Sequence, residues 1–304
     1  MWPIFVRYYK ETVMNEPKNT GDANRSGRFI LRHEPKIATF ADGINWFLDG
    51  FKLFMRSPAG WVAFFFIWFF VTVPASLIPS LSVLINLLLP VFLGGVMWGS
   101  YQLDKTGTFN PLCLFYGFKR NFTRLAMVGL AFIISSLIIG VILHGLLLAF
   151  GFDLENLQRM SESYLRMELP PEDMLRFAQV MMIILLGFLA LSIPLFMAIW
   201  FAPALVIINN VQPLEAMKLS FIACLRNMLS FLSYGLVGLA AMLIAVIPFG
   251  IGMVIMVPVL FASIYTSYKD IFIDETGFID SGSGDSNSDS TSKPDKKNKI
   301  GIEV

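Results

Sequence analysis

Long apolar runs separated by short polar connections make up most of this chain of 304 residues. Four of the runs, residues 59–101, 125–150, 177–208 and 228–268, contain no Asp, Glu, Lys or Arg. Because a helix needs about 20 residues to cross the ~30 Å hydrocarbon layer of a bilayer, each run is long enough for one or two crossings. The pattern predicts an all-α integral membrane protein with six transmembrane helices, at about 59–79, 81–101, 125–150, 177–208, 229–247 and 249–268.

Polar segments flank the predicted six-helix transmembrane domain, which we place at 42–272. Residues 1–41 are mixed in charge and are predicted to be largely disordered, and residues 273–304, rich in Ser, Asp and Lys, to be a disordered tail. Residues 1–40 lack the apolar core of a cleaved signal peptide, so we expect the first span to be an uncleaved anchor. Whether the residues before Met14 are translated is left open.

Lys and Arg are distributed unevenly between the two sides of the predicted bundle. With six spans, the connections on the side of the termini hold 20 of the 23 basic residues. The loop at 151–176 holds the other three, together with six acidic residues. Since basic connections stay in the cytoplasm, we expect both termini to be cytoplasmic and the 151–176 loop to be external.

The segments that precede the first, third and fifth spans resemble one another when aligned on Arg56, Arg124 and Arg226. Apolar residues stand twelve and nine positions before each arginine and fall mostly on one helical face. The even-numbered spans also correspond, because they contain Pro90, Pro194 and Pro258. These patterns predict three repeats of an amphipathic interfacial helix plus a pair of spans. Chance similarity among apolar segments is the alternative.

Basic residues on the predicted interfacial helices are candidates for contact with lipid headgroups. An amphipathic helix can bury its apolar face at the acyl boundary while its basic residues meet anionic phosphates. The candidate residues are Lys52, Arg56, Lys119, Arg120, Arg124, Lys218 and Arg226. The sequence therefore predicts anionic phospholipids as partners.

Two polar residues are predicted at membrane depth, Asn86 in the second span and His144 near the outer end of the third. We expect Asn86 to bond across to a neighbouring helix, as buried polar groups in membranes do. His144 has two interpretations. It could act as a proton relay or ligand, but a structural residue, hydrogen-bonded within the bundle or placed at the interface, is favoured.

Two further patterns have a structural and a functional interpretation. Gly95-x-x-x-Gly99 lets helices approach closely, either in a dimer or within the bundle. Met160, Met167 and Met174 recur every seven residues in the external loop, which favours one side of an amphipathic helix over a copper site.

The reactive residues form no recognisable catalytic or metal-binding motif. Cys113 and Cys224 are the only cysteines, and their spacing fits no metal site. Asn121-Phe-Thr123 matches a glycosylation acceptor, but it lies on the predicted cytoplasmic side and is expected to stay unmodified. We therefore predict no catalytic, cofactor or metal site, and a protein that is not an enzyme.

Two stretches, INWFLDGFKLFMRSPAGWVAFFF and FAPALVIINNVQPLEAMKLSFIACLRNMLSFLSYG, resemble an uncharacterised family of proteobacterial six-helix inner-membrane proteins. The resemblance covers about residues 44–268 and implies a bacterial inner-membrane location. More distantly, the arrangement is similar to the membrane domain attached to some glycerophosphodiester phosphodiesterases, without their catalytic domain. The resemblance implies an architecture but no activity.

Two classes of function remain open. The favoured one is a non-enzymatic membrane scaffold, assembly or lipid-interacting factor. A second copy of the chain or another membrane protein is left open as a partner, and no nucleic-acid partner is predicted. The alternative is a passive pore or a transporter of an uncharged or apolar solute. A coupled transporter is disfavoured, because an intramembrane ionisable group costs about 3 kcal/mol and is kept for function, and His144 is the one candidate.

Overall fold

The computed structural model describes residues 30–32, 34–166 and 171–274. The helical elements are α1 (Phe40–Met55), α2 (Pro58–Ser76), α3 (Pro79–Thr106), a 3₁₀ turn (Pro111–Phe115), α4 (Tyr116–Lys119), α5 (Phe122–Ala149), α6 (Leu154–Leu165), α7 (Pro171–Trp200), α8 (Ala202–Asn209), α9 (Pro213–Arg226), α10 (Met228–Val246) and α11 (Met253–Phe272). Residues 34–272 form one compact unit. In a second unit, β1 (Ile30–Leu31) pairs antiparallel with β2 (Ile273–Asp274). Most of the two ends that are predicted to be disordered, residues 1–41 and 273–304, lie outside the described residues.

Six helical stretches are long and apolar enough to cross a membrane, which confirms the predicted class. They are Pro58–Ser76, Pro79–Thr106, Phe122–Ala149, Asp173–Asn209, Met228–Val246 and Met253–Phe272. The second is longer than predicted, because the helix continues past its apolar part and ends at Gly107, whose φ of 72° suits a glycine C-cap. The connection between the third and fourth spans contains the amphipathic helix α6, which includes Met160 and ends at Leu165. Met174 belongs to α7, so the predicted single helix does not extend that far, and Met167 lies outside the described residues.

The fourth span is interrupted at Phe201, between α7 and α8. Pro194 lies within α7 without ending it, whereas Pro203 occupies the first turn of α8. At the interruption, the Phe201 amide donates to Ser220 Oγ at 2.9 Å, and the Ser220 hydroxyl donates to Met197 O at 2.7 Å. A single side chain on α9 therefore satisfies the backbone groups that the broken helix leaves unpaired, as apolar surroundings require.

Helix α1 packs against the last two spans. It begins with a capping box, in which Thr39 N donates to Asp42 Oδ2 at 2.7 Å. This hydrogen bond lowers the pKa of Asp42, and burial opposes it only in part. Close to this end, the Ser230 and Ser233 hydroxyls of α10 donate to Thr39 O and Phe40 O, at 2.8 and 2.6 Å.

Two glycines let α1 approach these spans closely. A Cβ added at Gly43 would overlap Ser230 O, and one added at Gly50 would lie 2.6–2.7 Å from the N, Cα and Cβ atoms of Ser263 in α11. Between them, the Trp46 indole donates to Asp270 Oδ2 at 2.9 Å, and Thr266 Oγ1 donates to Trp46 O at 2.7 Å. The N-terminal helix is thus joined to the C-terminal spans by packing and by hydrogen bonds.

Helix α1 has three faces. The buried face contains Gly43, Trp46, Phe47, Gly50, Leu53 and Phe54. A second face is apolar and exposed, with Phe40, Leu48, Phe51 and Met55. The third is polar and exposed, with Asn45, Asp49, Lys52 and Arg56. This division fits a helix that lies at a membrane boundary, with one side on protein, one toward lipid and one toward water.

The three predicted interfacial segments contact even-numbered spans in a cyclic order. The first lies on the sixth span, the second on the second span, and the third on the fourth span. The contacts join Gly50 to Ser263, Gly117 to Val91 O, and Ser220 to Met197 O. In each span the contact follows the proline within five residues, at Pro258, Pro90 and Pro194. Internal duplication of the sequence itself stays a prediction.

We expect Gly50→Ala to lower the thermal stability of the full-length protein, because the new Cβ meets the backbone of Ser263. Overpacking of this kind costs about 1–3 kcal/mol. Gly235→Ala in α10 is the matched control, since nothing lies within 4 Å of its added Cβ. The measurement is the melting temperature of each purified variant in detergent. Equal melting temperatures for the two variants would contradict the docked position of α1.

Candidate lipid interface

Three of the seven candidate headgroup residues begin odd-numbered spans, and the structure gives each a protein partner. Arg56 Nη1 lies 3.3 Å from Asp104 Oδ1 of α3, and Arg226 Nη1 lies 3.3 Å from Glu34 Oε2. Arg124 Nη1 donates to the Asn210 carbonyl at 2.7 Å and to its Oδ1 at 2.8 Å. We call the side of the bundle on which these arginines lie the basic face.

Asp104 joins three spans at the basic face. Besides the contact with Arg56, its carboxylate accepts hydrogen bonds from Lys269 at 2.9 Å and from the buried Tyr265 hydroxyl at 3.1 Å. Asp104 was not among the predicted site residues. One feature of the sequence could have indicated it, because Asp104 is the first charged residue after the charge-free run at 59–101.

Asn121 and Asn210 connect the start of the third span to the end of the fourth. Both have left-handed backbones, with φ of 56° and 61°, a conformation that asparagine tolerates well. Asn121 Nδ2 donates to Val206 O at 2.9 Å and to Asn210 Oδ1 at 3.2 Å. The amide of the apparent glycosylation acceptor is therefore held in two internal hydrogen bonds.

Asn227 has the corresponding place at the start of the fifth span. This buried side chain accepts a hydrogen bond from Ala38 N at 2.6 Å and donates to Lys36 O at 3.0 Å and to Ala223 O at 2.9 Å. Lys36 in turn lies 2.6 Å from Asp270 of α11. Asn121 and Asn227 thus hydrogen-bond to backbone groups of other segments at the starts of the third and fifth spans.

Two lysines lie near acids of their own helices. Lys52 Nζ is 2.8 Å from Asp49 Oδ1, and the Lys52 side chain is 74% exposed. Lys218 is exposed on α9. Burial raises the pKa of its neighbour Glu215, and the charge of Lys218 opposes that shift. Both lysine side chains are exposed, and their contact with lipid headgroups stays a prediction.

Arg120 and Lys119 lie beside a pocket between α3 and the 3₁₀ turn with α4. The Arg120 guanidinium is 4.5 Å from the Trp98 ring centre, within cation–π range. Trp98 also stacks on Tyr116, with centroids 5.1 Å apart and an interplanar angle of 4°. The pocket has a volume of about 540 Å³. We call it the Lys119 pocket; it is lined by Trp98, Gly99, Gln102, Thr108, Phe109, Asn110, Leu112, Cys113, Phe115, Tyr116 and Lys119.

An apolar cavity of about 190 Å³ lies among the second, third, fourth and sixth spans. Its lining residues are Leu89, Pro90, Leu93, Met97, Phe132, Phe196, Ile199, Trp200, Pro203 and Ile264. A second apolar pocket of about 230 Å³ shares Phe196 and Trp200 with the first and extends to Met228 and Phe231 of α10. Cavities of this kind suit hydrocarbon rather than ions.

The residues predicted at membrane depth, Asn86 and His144, make no hydrogen bond to a neighbouring helix among the described residues. Asn86 Nδ2 donates to Ser82 O at 2.9 Å within its own helix, so the expected bond to a neighbouring helix is not the one that forms. Asn86 and His144 are both exposed on the surfaces of their spans. Added Cβ atoms at Gly95 and Gly99 would overlap the backbone or side chain of Cys113, so this small-residue motif packs within the chain.

Both cysteines are buried thiols. Burial raises the pKa of Cys113 and that of Cys224 to about 12. Among residues 30–32, 34–166 and 171–274, no three His, Cys, Asp or Glu side chains are grouped to hold a metal ion.

The chain is similar to a probable inner membrane protein of Burkholderia thailandensis. The two are 27% identical over 261 residues, which cover 76% of this chain and 90% of the relative. No family model matches the chain, and no solved structure matches it. The likeness to membrane domains attached to glycerophosphodiester phosphodiesterases stays a prediction.

We expect Cys113 and Cys224 to react slowly with maleimide in the folded protein. A pKa of about 12 leaves about 0.01% of each thiol as the reactive thiolate at pH 8. Gln212→Cys places an exposed thiol on the same face and is the matched control. Gel-shift labelling with a maleimide polymer should give one fast modification in that variant and two more after denaturation. Rapid labelling of the wild-type protein would contradict the burial of both cysteines.

Proposed function

We propose that this chain is a non-enzymatic, multi-pass protein of the bacterial inner membrane that binds anionic phospholipid at its basic face. It would act as a scaffold, assembly or lipid-interacting factor. The observation that carries the proposal is the three-faced geometry of α1, in which exposed apolar residues run beside exposed Lys52 and Arg56. The similarity to a protein named as a probable inner membrane protein supports the location.

The distribution of charge favours lipid binding over catalysis or ion transport. Lys and Arg concentrate on the basic face, where anionic phosphates of a bilayer lie within reach. The two apolar pockets, by contrast, are lined by no Asp, Glu, Lys, Arg or His, and burial raises the pKa of Cys224 in the second pocket to about 12. A proton or charged solute would therefore find no compensating group in either pocket, and moving it there would cost several kcal/mol.

A passive pore or transporter of an apolar solute is the second candidate. The apolar cavity among four spans supports it, because it could hold an uncharged molecule within the membrane. The fourth span is also interrupted at Phe201, beside Trp200 and Pro203 of the cavity wall, and interrupted helices line binding sites in many transporters. Solute flux into vesicles, abolished by filling the cavity through Leu93→Trp, would favour this candidate.

Anionic lipid should stabilise the folded protein. We expect a higher melting temperature in nanodiscs of phosphatidylglycerol than of phosphatidylcholine, because each basic residue near an anionic surface contributes about 1 kcal/mol. Lys52→Gln combined with Lys218→Gln should reduce the difference, and salt should reduce it further. Arg159→Gln on α6, at the other side of the bundle, is the control. Identical melting temperatures in the two lipids would contradict the proposed function.

The proposed orientation places the basic face in the cytoplasm. In spheroplasts, a membrane-impermeant maleimide should label Glu162→Cys on α6 and should reach Gln212→Cys only after permeabilisation, because positive connections remain inside. Both positions are exposed. The measurement is the labelled fraction before and after permeabilisation. The opposite labelling pattern would show that the basic face is external.

A further inference from the structure

We propose that the Lys119 pocket binds the phosphate headgroup of an anionic phospholipid whose acyl chains lie on the neighbouring exposed phenylalanines. This inference rests on the proposed function and assigns a defined site to it. The pocket has a volume of about 540 Å³, within the range of about 300–1,000 Å³ that small-molecule sites occupy.

The polar side of the pocket offers donors and positive charge. The Lys119 ammonium and the half-buried Gln102 amide make no hydrogen bond or ion pair with the part of the chain that the structure describes. The Asn110 side chain accepts from Leu112 N through Oδ1 at 2.9 Å, which leaves its NH₂ group directed to other partners. One ammonium and two amides can donate several hydrogen bonds to phosphate oxygens.

The charge of the lining selects an anion. Its eleven residues include one cation and no carboxylate. Asp104, which lies two residues beyond Gln102 in α3, is engaged by Arg56, Lys269 and Tyr265. The Arg120 guanidinium adds a second positive charge 4.5 Å from the Trp98 ring centre. Charge-assisted hydrogen bonds to phosphate are roughly twice as strong as neutral ones.

An apolar strip continues from the pocket. Leu112 and Phe115 line the pocket and are also exposed, at 60% and 37%. Phe115 and Phe118 have ring centroids 6.5 Å apart, and Phe118 and Phe122 have centroids 5.7 Å apart. The strip is thus unbroken from the polar pocket to the start of the third span. An amphiphile with a phosphate end fits this combination, whereas a soluble phosphate would leave the strip without a partner.

The aromatic wall of the pocket suits a position at headgroup depth. Trp98 and Tyr116 form its aromatic wall, and such aromatic residues are enriched at membrane–water interfaces. Gly99 and Cys113 hold the 3₁₀ turn close against α3, which fixes the width of the pocket. The site is therefore built mainly from α3, the 3₁₀ turn and α4, and the short connection between α3 and the turn adds Thr108, Phe109 and Asn110.

Lys119→Gln should weaken phosphatidylglycerol binding roughly tenfold to a hundredfold, because it removes a charged hydrogen bond. The probe is phosphatidylglycerol with one palmitoyl and one oleoyl chain, titrated into full-length protein in detergent. Bound lipid is counted by native mass spectrometry, and Trp fluorescence gives the Kd. Arg159→Gln is the control, since it removes one positive charge from the other side of the bundle. Lys52→Gln is the comparison variant, because it removes the same charge as Lys119→Gln from the same face but outside the pocket, and we expect it to weaken binding less. Each variant is first shown to melt like the wild type in phosphatidylcholine.

Weakening in Lys119→Gln and in Gln102→Leu that clearly exceeds the weakening in Lys52→Gln, with wild-type affinity in Arg159→Gln, would support the site. Equal weakening in the lysine variants would overturn the site and leave the proposed function intact, because binding would then be spread over the basic face. The absence of any preference for phosphatidylglycerol over phosphatidylcholine in the wild type would overturn both. Soluble glycerol phosphate that binds as tightly as the lipid would overturn the assignment of a lipid.

Discussion

The approach of α1 to the last two spans is the interaction on which the arrangement of the basic face depends. Gly43 and Gly50 bring the backbone of α1 against Ser230 and Ser263, and a side chain at either glycine would overlap them. Once α1 is held there, Arg56 at its end lies beside Asp104. That carboxylate also accepts hydrogen bonds from Lys269 and Tyr265. Asp104 therefore connects the end of α1 and the second span to the sixth span.

Hydroxyl and amide side chains provide most of the polar contacts within the bundle. Ser220 repairs the interruption at Phe201, and Asn227 makes three hydrogen bonds while buried. Tyr234 and Ser263 bond to each other at 2.7 Å between the fifth and sixth spans. Neutral groups of this kind satisfy backbone groups without the desolvation cost of an ion. The apolar parts of the spans can therefore pack together without buried charged side chains.

The spans could be predicted because charge-free length is a local property of the sequence. The three interfacial segments were also recognisable from the spacing before Arg56, Arg124 and Arg226. Their partners were not, because nothing local shows that Gly50 meets Ser263 across more than 200 residues. The same limit applied to Asn86, whose short side chain reaches the carbonyl one turn earlier in its own helix. The partners of Gly50 and Asn86 depend on the tertiary structure, and the local pattern of apolar residues does not predict them.

The basic residues divide by type in a way that connects the fold to the proposed function. The three aligned arginines are held by Asp104, Asn210 and Glu34, as suits a planar guanidinium that makes several directed bonds. Lys52 and Lys119 instead project from the surface, with a flexible stem and a compact charge. We infer that the three aligned arginines hold the spans in place on this face, and that Lys52 and Lys119 face the proposed lipid.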